Sequence, residues 1–253
     1  MTVLRYVAIG DSLSEGVGDQ PWPDGTLRGW TDRLAELLAA HHGEVDYANL
    51  AVRGYRSQQV LQRQVPRALE LAPDVVTLTA GMNDLLHPRL DVANLRRTLV
   101  EIVAPLTATG ARVVVVPIPD VSDVTPAGRF IARRRLALNE IYRFLATEHG
   151  MDPPAETAGT IFEDRRAWAE DRLHLSALGH ERLALAAADS LGVPVEQDWM
   201  SLPEGVPPRR TLRTEVHWYR SYVTPWVGRR VTGRSSGDGR TAKRPEPVRV
   251  TTH

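Results

Sequence analysis

A chain of 253 residues with 42% apolar and 25% charged side chains has enough apolar content for one large core and an appendage. It holds no cysteine and one lysine, Lys243, beside thirty arginines. That excludes disulfides, thiolate nucleophiles and Cys-ligated metals, and also phosphate-loop or Schiff-base lysines, since Lys243 lies in a Gly/Pro-rich stretch where burial is not expected. The 31 basic and 31 acidic groups cancel overall, yet residues 1–198 carry 20 basic against 27 acidic side chains and residues 199–253 carry 11 against 4, giving an acidic body and a basic tail.

Residues 3–9 (VLRYVAI) read as a buried strand, rich in β-branched and aromatic positions and ending at Gly10. Residues 30–41 have the helical period, with Leu34, Leu37 and Leu38 on one stripe, Thr31 or Asp32 as the expected cap and Gly43 as the stop. A second strand is expected over 45–50, a helix over 57–71, a third strand over 74–79, a helix over 91–109, a fourth strand over 112–118 and a helix over 128–149. The fifth strand should come from 151–160 (MDPPAETAGT), although two prolines make it a poor edge strand. Ser176 can cap a last helix over 176–191. Strand and helix alternating in this way predict an α/β fold with a parallel sheet covered by helices on both faces.

Three parts follow: a catalytic domain over 1–195, an aromatic and basic extension over 196–227 expected to pack on the body through Trp218, Tyr219, Tyr222 and Trp226, and a basic tail over 228–253 expected to be extended or disordered. Residues 1–10 lack a secretory signal, and the longest apolar run, 113–118, is far short of the roughly 20 residues that span a bilayer. A cytoplasmic protein without a transmembrane segment is expected.

In an open parallel sheet, ligands bind beyond the carboxyl ends of the strands, so the residues after each strand carry the chemistry. Gly10-Asp11-Ser12-Leu13-Ser14 puts a hydroxyl at a strand-to-helix turn, where backbone N–H groups face the same space; this suits a nucleophile beside an oxyanion donor, but is equally a common turn. Gly54 follows the second strand. Asn83, in Gly81-Met82-Asn83-Asp84, offers an amide donor after the third, with Asp84 the structural member of the pair. Asp171-Arg172-Leu173-His174 precedes the last helix, and its spacing lets a carboxylate hold one imidazole nitrogen while the other faces outward.

The ordered set of Ser12, Gly54, Asn83 and Asp171-x-x-His174 resembles the GDSL, or SGNH, hydrolase family over roughly residues 3–192. The resemblance implies a flavodoxin-like three-layer fold with a five-stranded parallel sheet, here followed by a C-terminal extension. It implies an esterase or lipase that hydrolyses small-molecule acyl esters through an acyl-enzyme without a metal or other cofactor. Ser12 would be the nucleophile, His174 the base and then acid, Asp171 the orienting carboxylate, and the oxyanion hole the backbone N–H groups of Ser12 and Gly54 with the Asn83 amide.

Other groupings are weaker. His174 and His180 have a metal-like spacing with Asp171 as a third ligand, but no fourth ligand accompanies them. The pairs Glu163-Asp164 and Glu170-Asp171 diverge as neighbours do and make no acid/base couple across a sugar. Trp22 or Trp30 could line the substrate pocket or anchor its loop. The basic tail comes with no recognised nucleic-acid-binding fold. The competing class is a non-catalytic binding module of the same fold whose tail engages an acidic partner; such a module would need none of the four groups. Oligomeric state is left open.

Overall fold

The computed structural model describes residues 3–232 and 235–251. Four strands lie parallel: β1 (Leu4–Gly10), β2 (Glu44–Asn49), β3 (Val75–Thr79) and β4 (Arg112–Val115). A fifth, β5 (Arg244–Thr251), pairs antiparallel with β2, and the sheet order is β4-β3-β1-β2-β5. Alternation along β1 sends Val7 and Ile9 to one face and Tyr6 and Ala8 to the other. The first face is covered by α3 (Ser57–Arg63), α4 (Val65–Glu70), α6 (Val92–Ala108) and α7 (Pro126–His149), the second by α2 (Trp30–His42) and α8 (Ala177–Ser190). The result is a three-layer α/β sandwich. Short α1 (Ser12–Glu15) and α5 (Met82–Leu85) follow β1 and β3.

The structure corrects the expected sheet in two ways. Residues 151–160 form no strand; Pro153 and Pro154 have no N–H to give a ladder. The fifth strand comes instead from the tail, so four of the five strands are parallel and the fifth is not. Nor is the tail wholly disordered: the last turn of α10 (Thr224–Val231) and all of β5 lie within 228–253, while residues 233–234 and 252–253, part of the same expectation, fall outside the described residues. Composition underrates this segment because its stabilisation is non-local. It gains a backbone ladder with β2 and the pairs Arg249–Asp46 (2.6 Å) and Arg249–Glu44 (2.5 Å).

Lys243 is the clearest reversal. Its Nζ is buried, donating to Asp32 Oδ2 (2.6 Å) and the Leu27 carbonyl (3.0 Å), and burial pulls its pKa below the ordinary lysine value. Asp32 is therefore a buried partner of the tail, and α2 starts after Gly29 without a side-chain cap. Without Lys243 the buried Asp32 carboxylate keeps only the more distant Arg244 guanidinium, at 3.8 Å, among its described cationic partners. Lys243→Met should cost about 3–5 kcal/mol, read as a lower urea midpoint with an unchanged slope.

The single helix expected over 57–71 is broken at Gln64, next to Pro66 in the first turn of α4. Gln64 has a second use: its Oε1 accepts from Gly10 N–H (2.7 Å) and its Nε2 donates to Gly10 O (2.9 Å), pinning the end of β1 just before the Asp11-Ser12 turn. Gly10 has φ +137°, and a Cβ there would sit 2.3 Å from Thr79 O. Only glycine lets β1 and β3 close up at this point.

Candidate active site

Asp11 caps α1, its Oδ1 accepting from Leu13 N–H (3.2 Å). Ser12, the first residue of that helix, thus stands at the carboxyl edge of the sheet. Ser12, Gly54, Asn83 and His174 all line one cavity of about 1430 Å³. Asp171 stands behind His174 rather than on the cavity wall: its Oδ2 lies 2.6 Å from His174 Nδ1, and its Oδ1 accepts from the N–H groups of Leu173 and His174 (3.0 Å each). With Nδ1 engaged, Nε2 is the nitrogen left for the cavity side. Burial alone would raise the Asp171 pKa, but the hydrogen bond and charge of His174 and the two N–H groups outweigh it and hold the carboxyl below its ordinary range.

Asn83 donates from Nδ2 to the Tyr55 carbonyl (3.0 Å) and to Asp11 Oδ2 (3.2 Å). Both amide hydrogens are engaged, so donation to a substrate oxygen requires the longer bond, to Asp11, to be shared or exchanged. Asp11 is buried, and desolvation raises its pKa to about 6 against the opposing bond from Leu13 and the charge of His174. Asp84 accepts from Ser57 N–H and Oγ–H (2.9 Å each) and so starts α3.

The chain positions Gly54 from both sides. Arg53, before it, is held by Glu15 through its backbone N–H (2.6 Å) and its guanidinium (2.8–3.0 Å). Gly54 has φ +78°, and a Cβ there would lie 2.5 Å from Ser235 Oγ. Ser235 Oγ donates to Gly54 O at 3.3 Å. The tail therefore reaches the candidate site, and Trp226, Arg229, Ser236, Asp238 and Arg240 share the cavity wall. Sequence reasoning found none of the Gln64, Glu15 or Ser235 contacts, because no local pattern marks a partner 38 to 181 residues away.

His180 is fully buried and not available to a metal. Its Nδ1 accepts from Trp30 N–H (3.1 Å), which leaves the proton on Nε2 to donate to the Val17 carbonyl (3.1 Å). Burial lowers its pKa to about 4. Among the described residues, no group of three His or carboxylate side chains is arranged to hold a metal. Trp30, the first residue of α2, is buried in the core, Trp22 stacks with Arg28 (4.5 Å), and neither lines the cavity. Among the described residues, no helix is long and apolar enough to cross a membrane.

Known proteins resemble this chain in sequence and fold. The chain is 39% identical over 89 residues to the uncharacterized protein YpmR of Bacillus subtilis (strain 168), an alignment covering 33% of this chain and 32% of YpmR, about a third of each. A catalytic mutant of Axe2, an acetylxylan esterase from Geobacillus stearothermophilus, superposes with a TM-score of 0.62 at 18% identity, over 79% of this chain and 97% of that one. TesA superposes with a TM-score of 0.59 at 25% identity, over 74% and 97%. LAE5, an alpha/beta hydrolase enzyme from the metagenome of Lake Arreo, Spain, gives 0.61 at 20%, over 76% and 97%. At 18–20% identity Axe2 and LAE5 share the fold alone. The sequence pattern of the GDSL-like Lipase/Acylhydrolase family matches residues 8–182, more than half of the chain, and the protein belongs to that family.

Proposed function

We propose that this protein hydrolyses carboxylic esters of small molecules through an acyl-enzyme formed on Ser12. The observation that carries this reading is the His174 Nδ1 to Asp171 Oδ2 contact of 2.6 Å, made behind a wall of the cavity that also holds Ser12, Gly54 and Asn83. A serine hydroxyl is a weak nucleophile until a neutral imidazole takes its proton. In the first half-reaction Ser12 Oγ attacks the ester carbonyl carbon and its proton passes to His174 Nε2. The negative carbonyl oxygen is met by the N–H groups of Ser12 and Gly54 and by the Asn83 amide. Collapse breaks the carbon–oxygen bond to the alcohol, which leaves with the proton from His174. Water then repeats the sequence, His174 accepting its proton, and the carboxylic acid departs as Ser12 Oγ is reprotonated. Asp171 orients the imidazole and stabilises its cationic form. In this cycle His174 accepts and returns each proton, and no step calls for a metal.

A fluorophosphonate probe tests the assignment directly. The expected result is a single adduct, on Ser12, that forms in step with loss of activity on a simple acetyl or butyryl ester. A protein that neither reacts with the probe nor turns over any acyl ester would be the non-catalytic module instead. Asn83→Ala should lower kcat by about 100- to 1000-fold with KM changed far less, because its amide is needed chiefly when the oxygen becomes an anion; initial-rate kinetics on the same ester would show it.

A further inference from the structure

The family match ends at residue 182, yet the segment beyond it is tied to the candidate site at both ends. We propose that the C-terminal extension is a positioning element of this active site, in which Trp218 and the Glu215–Arg172 pair set the turn that aims Asp171 at His174. This rests on the ester-hydrolase reading above.

The turn needs holding. Arg172, between Asp171 and His174, has φ +58°, a left-handed conformation that an arginine adopts only under outside constraint. The turn closes on itself through Ala169 N–H to His174 O (2.8 Å) and Arg172 N–H to Ala169 O (2.9 Å), and the extension adds a hold from outside. Helix α9 (Leu212–Trp218) starts at the Thr211 cap and runs through a π-helical turn (Tyr219–Val223) into α10. Its inward side chains meet the turn one after another. Glu215 takes the Arg172 guanidinium in a two-pronged ion pair (2.6 and 2.9 Å). The Trp218 ring lies 4.5 Å from that guanidinium, and Trp218 Nε1 donates to the backbone carbonyl of Asp171 (3.0 Å). Tyr222 OH donates to Glu170 Oε2 (3.0 Å). Tyr219, by contrast, is 59% exposed, so of the four aromatic residues expected to pack on the body Trp218 and Tyr222 contact it here, Trp226 lines the cavity and Tyr219 does not take part. The planar guanidinium matches both a carboxylate fork and an aromatic face, and here it uses both at once.

The same extension closes on the opposite wall. Ser235 donates to Gly54 O, and Gly237 passes so close to Arg53 that a Cβ on it would be 2.2 Å from Arg53 O. From there the chain runs to Lys243 and β5. One segment thus spans the cleft from the acid–base turn to the Gly54 donor and is anchored in the sheet, which leaves neither end free to drift.

A misplacement of about 1 Å can cost a large part of the rate. Trp218→Phe keeps the ring and removes the N–H; Glu215→Gln keeps the shape and removes the charge. Each is expected to lower kcat about tenfold or more with KM within twofold, and to move the acid limb of the kcat/KM profile to lower pH. The shift follows because a carboxylate that faces Nδ1 less squarely stabilises the imidazolium less; the other charged or titratable groups around the turn include Asp11, the Arg172–Glu215 pair and the neutral His180. The double variant should lose less than the product of the two, since both act through Arg172. Leu212→Ala, on an exposed position of the same helix, should leave kcat, KM and the pH profile as in wild type. Folded Trp218→Phe and Glu215→Gln proteins with wild-type kcat and pH profile would overturn the proposal, and so would variants that lose thermal stability while the profile measured below their melting temperature stays put. Ser12→Ala separates the two levels: if it retains activity, the ester-hydrolase reading itself is lost, whereas an inactive Ser12→Ala beside unperturbed extension variants removes only the positioning role.

Discussion

Ser12→Ala is expected to lower turnover of a simple acyl ester by roughly 10⁵- to 10⁶-fold, to the residual level that oxyanion donors and binding supply without a nucleophile. In the proposed mechanism Ser12 combines two functions at one residue. Its hydroxyl attacks, and its backbone N–H belongs to the start of α1, where helix amides face the site of charge development. Alanine removes the first and keeps the second. Among the described residues, no hydrogen bond holds the Ser12 hydroxyl, so the substitution should leave the melting temperature and the far-ultraviolet spectrum as they are. Substrate should still bind, with KM or a measured Kd within a few-fold of wild type, because the cavity wall is unchanged. Retention of wild-type activity would remove the proposed mechanism, and loss of activity together with loss of fold would show as a shifted thermal transition.

Asp171→Asn should cost about 10⁴-fold in kcat, more than removal of the Asn83 amide. In the structure the carboxylate does two things: Oδ1 receives the Leu173 and His174 backbone N–H groups and Oδ2 receives Nδ1–H. An asparagine keeps the first set through its carbonyl oxygen. In place of Oδ2 it presents an amide N–H, which must face an unprotonated Nδ1 and so puts the imidazole proton on Nε2. His174 then holds a proton where it must accept one. The expected signature is an intact fold, a small change in KM and a collapsed kcat. Because Asp171 lies below the ordinary carboxylate range, it stays ionised in the native protein as pH falls toward that range, and the wild-type acid limb should not report its titration. Activity of Asp171→Asn within tenfold of wild type would show that the carboxylate is not the orienting partner.

Much of the fold was legible locally. The strands of residues 4–10, 44–49 and 75–79 stand out as β-branched runs ending at Gly, Asn or Thr, and the helices of α6, α7 and α8 follow from unbroken apolar periodicity. The placement of candidate residues just after each strand follows from the parallel sheet. What local reading could not supply was any partner across the fold. Gln64 looks like a helix residue, and only the packing of α3 and α4 under β1 turns it toward Gly10. Arg172 looks like a spacer between Asp171 and His174 until Trp218 and Glu215 are folded against it.

The tail shows the same division. Its composition argues against an independent core, and by itself it has none; Trp218, Tyr222 and β5 find their partners on the body. Lys243, placed in a polar stretch, is buried because Asp32 on α2 and the Leu27 carbonyl just before that helix receive its Nζ. The amino-acid sequence alone determined which residues are able to do chemistry and which elements carry them, since periodicity, caps and hydroxyl, amide or imidazole chemistry are local properties. Only the tertiary structure decided that the fifth strand comes from the C-terminus, that it runs antiparallel, and that the extension reaches the site, since those outcomes depend on surfaces and charges brought together from distant parts of the chain.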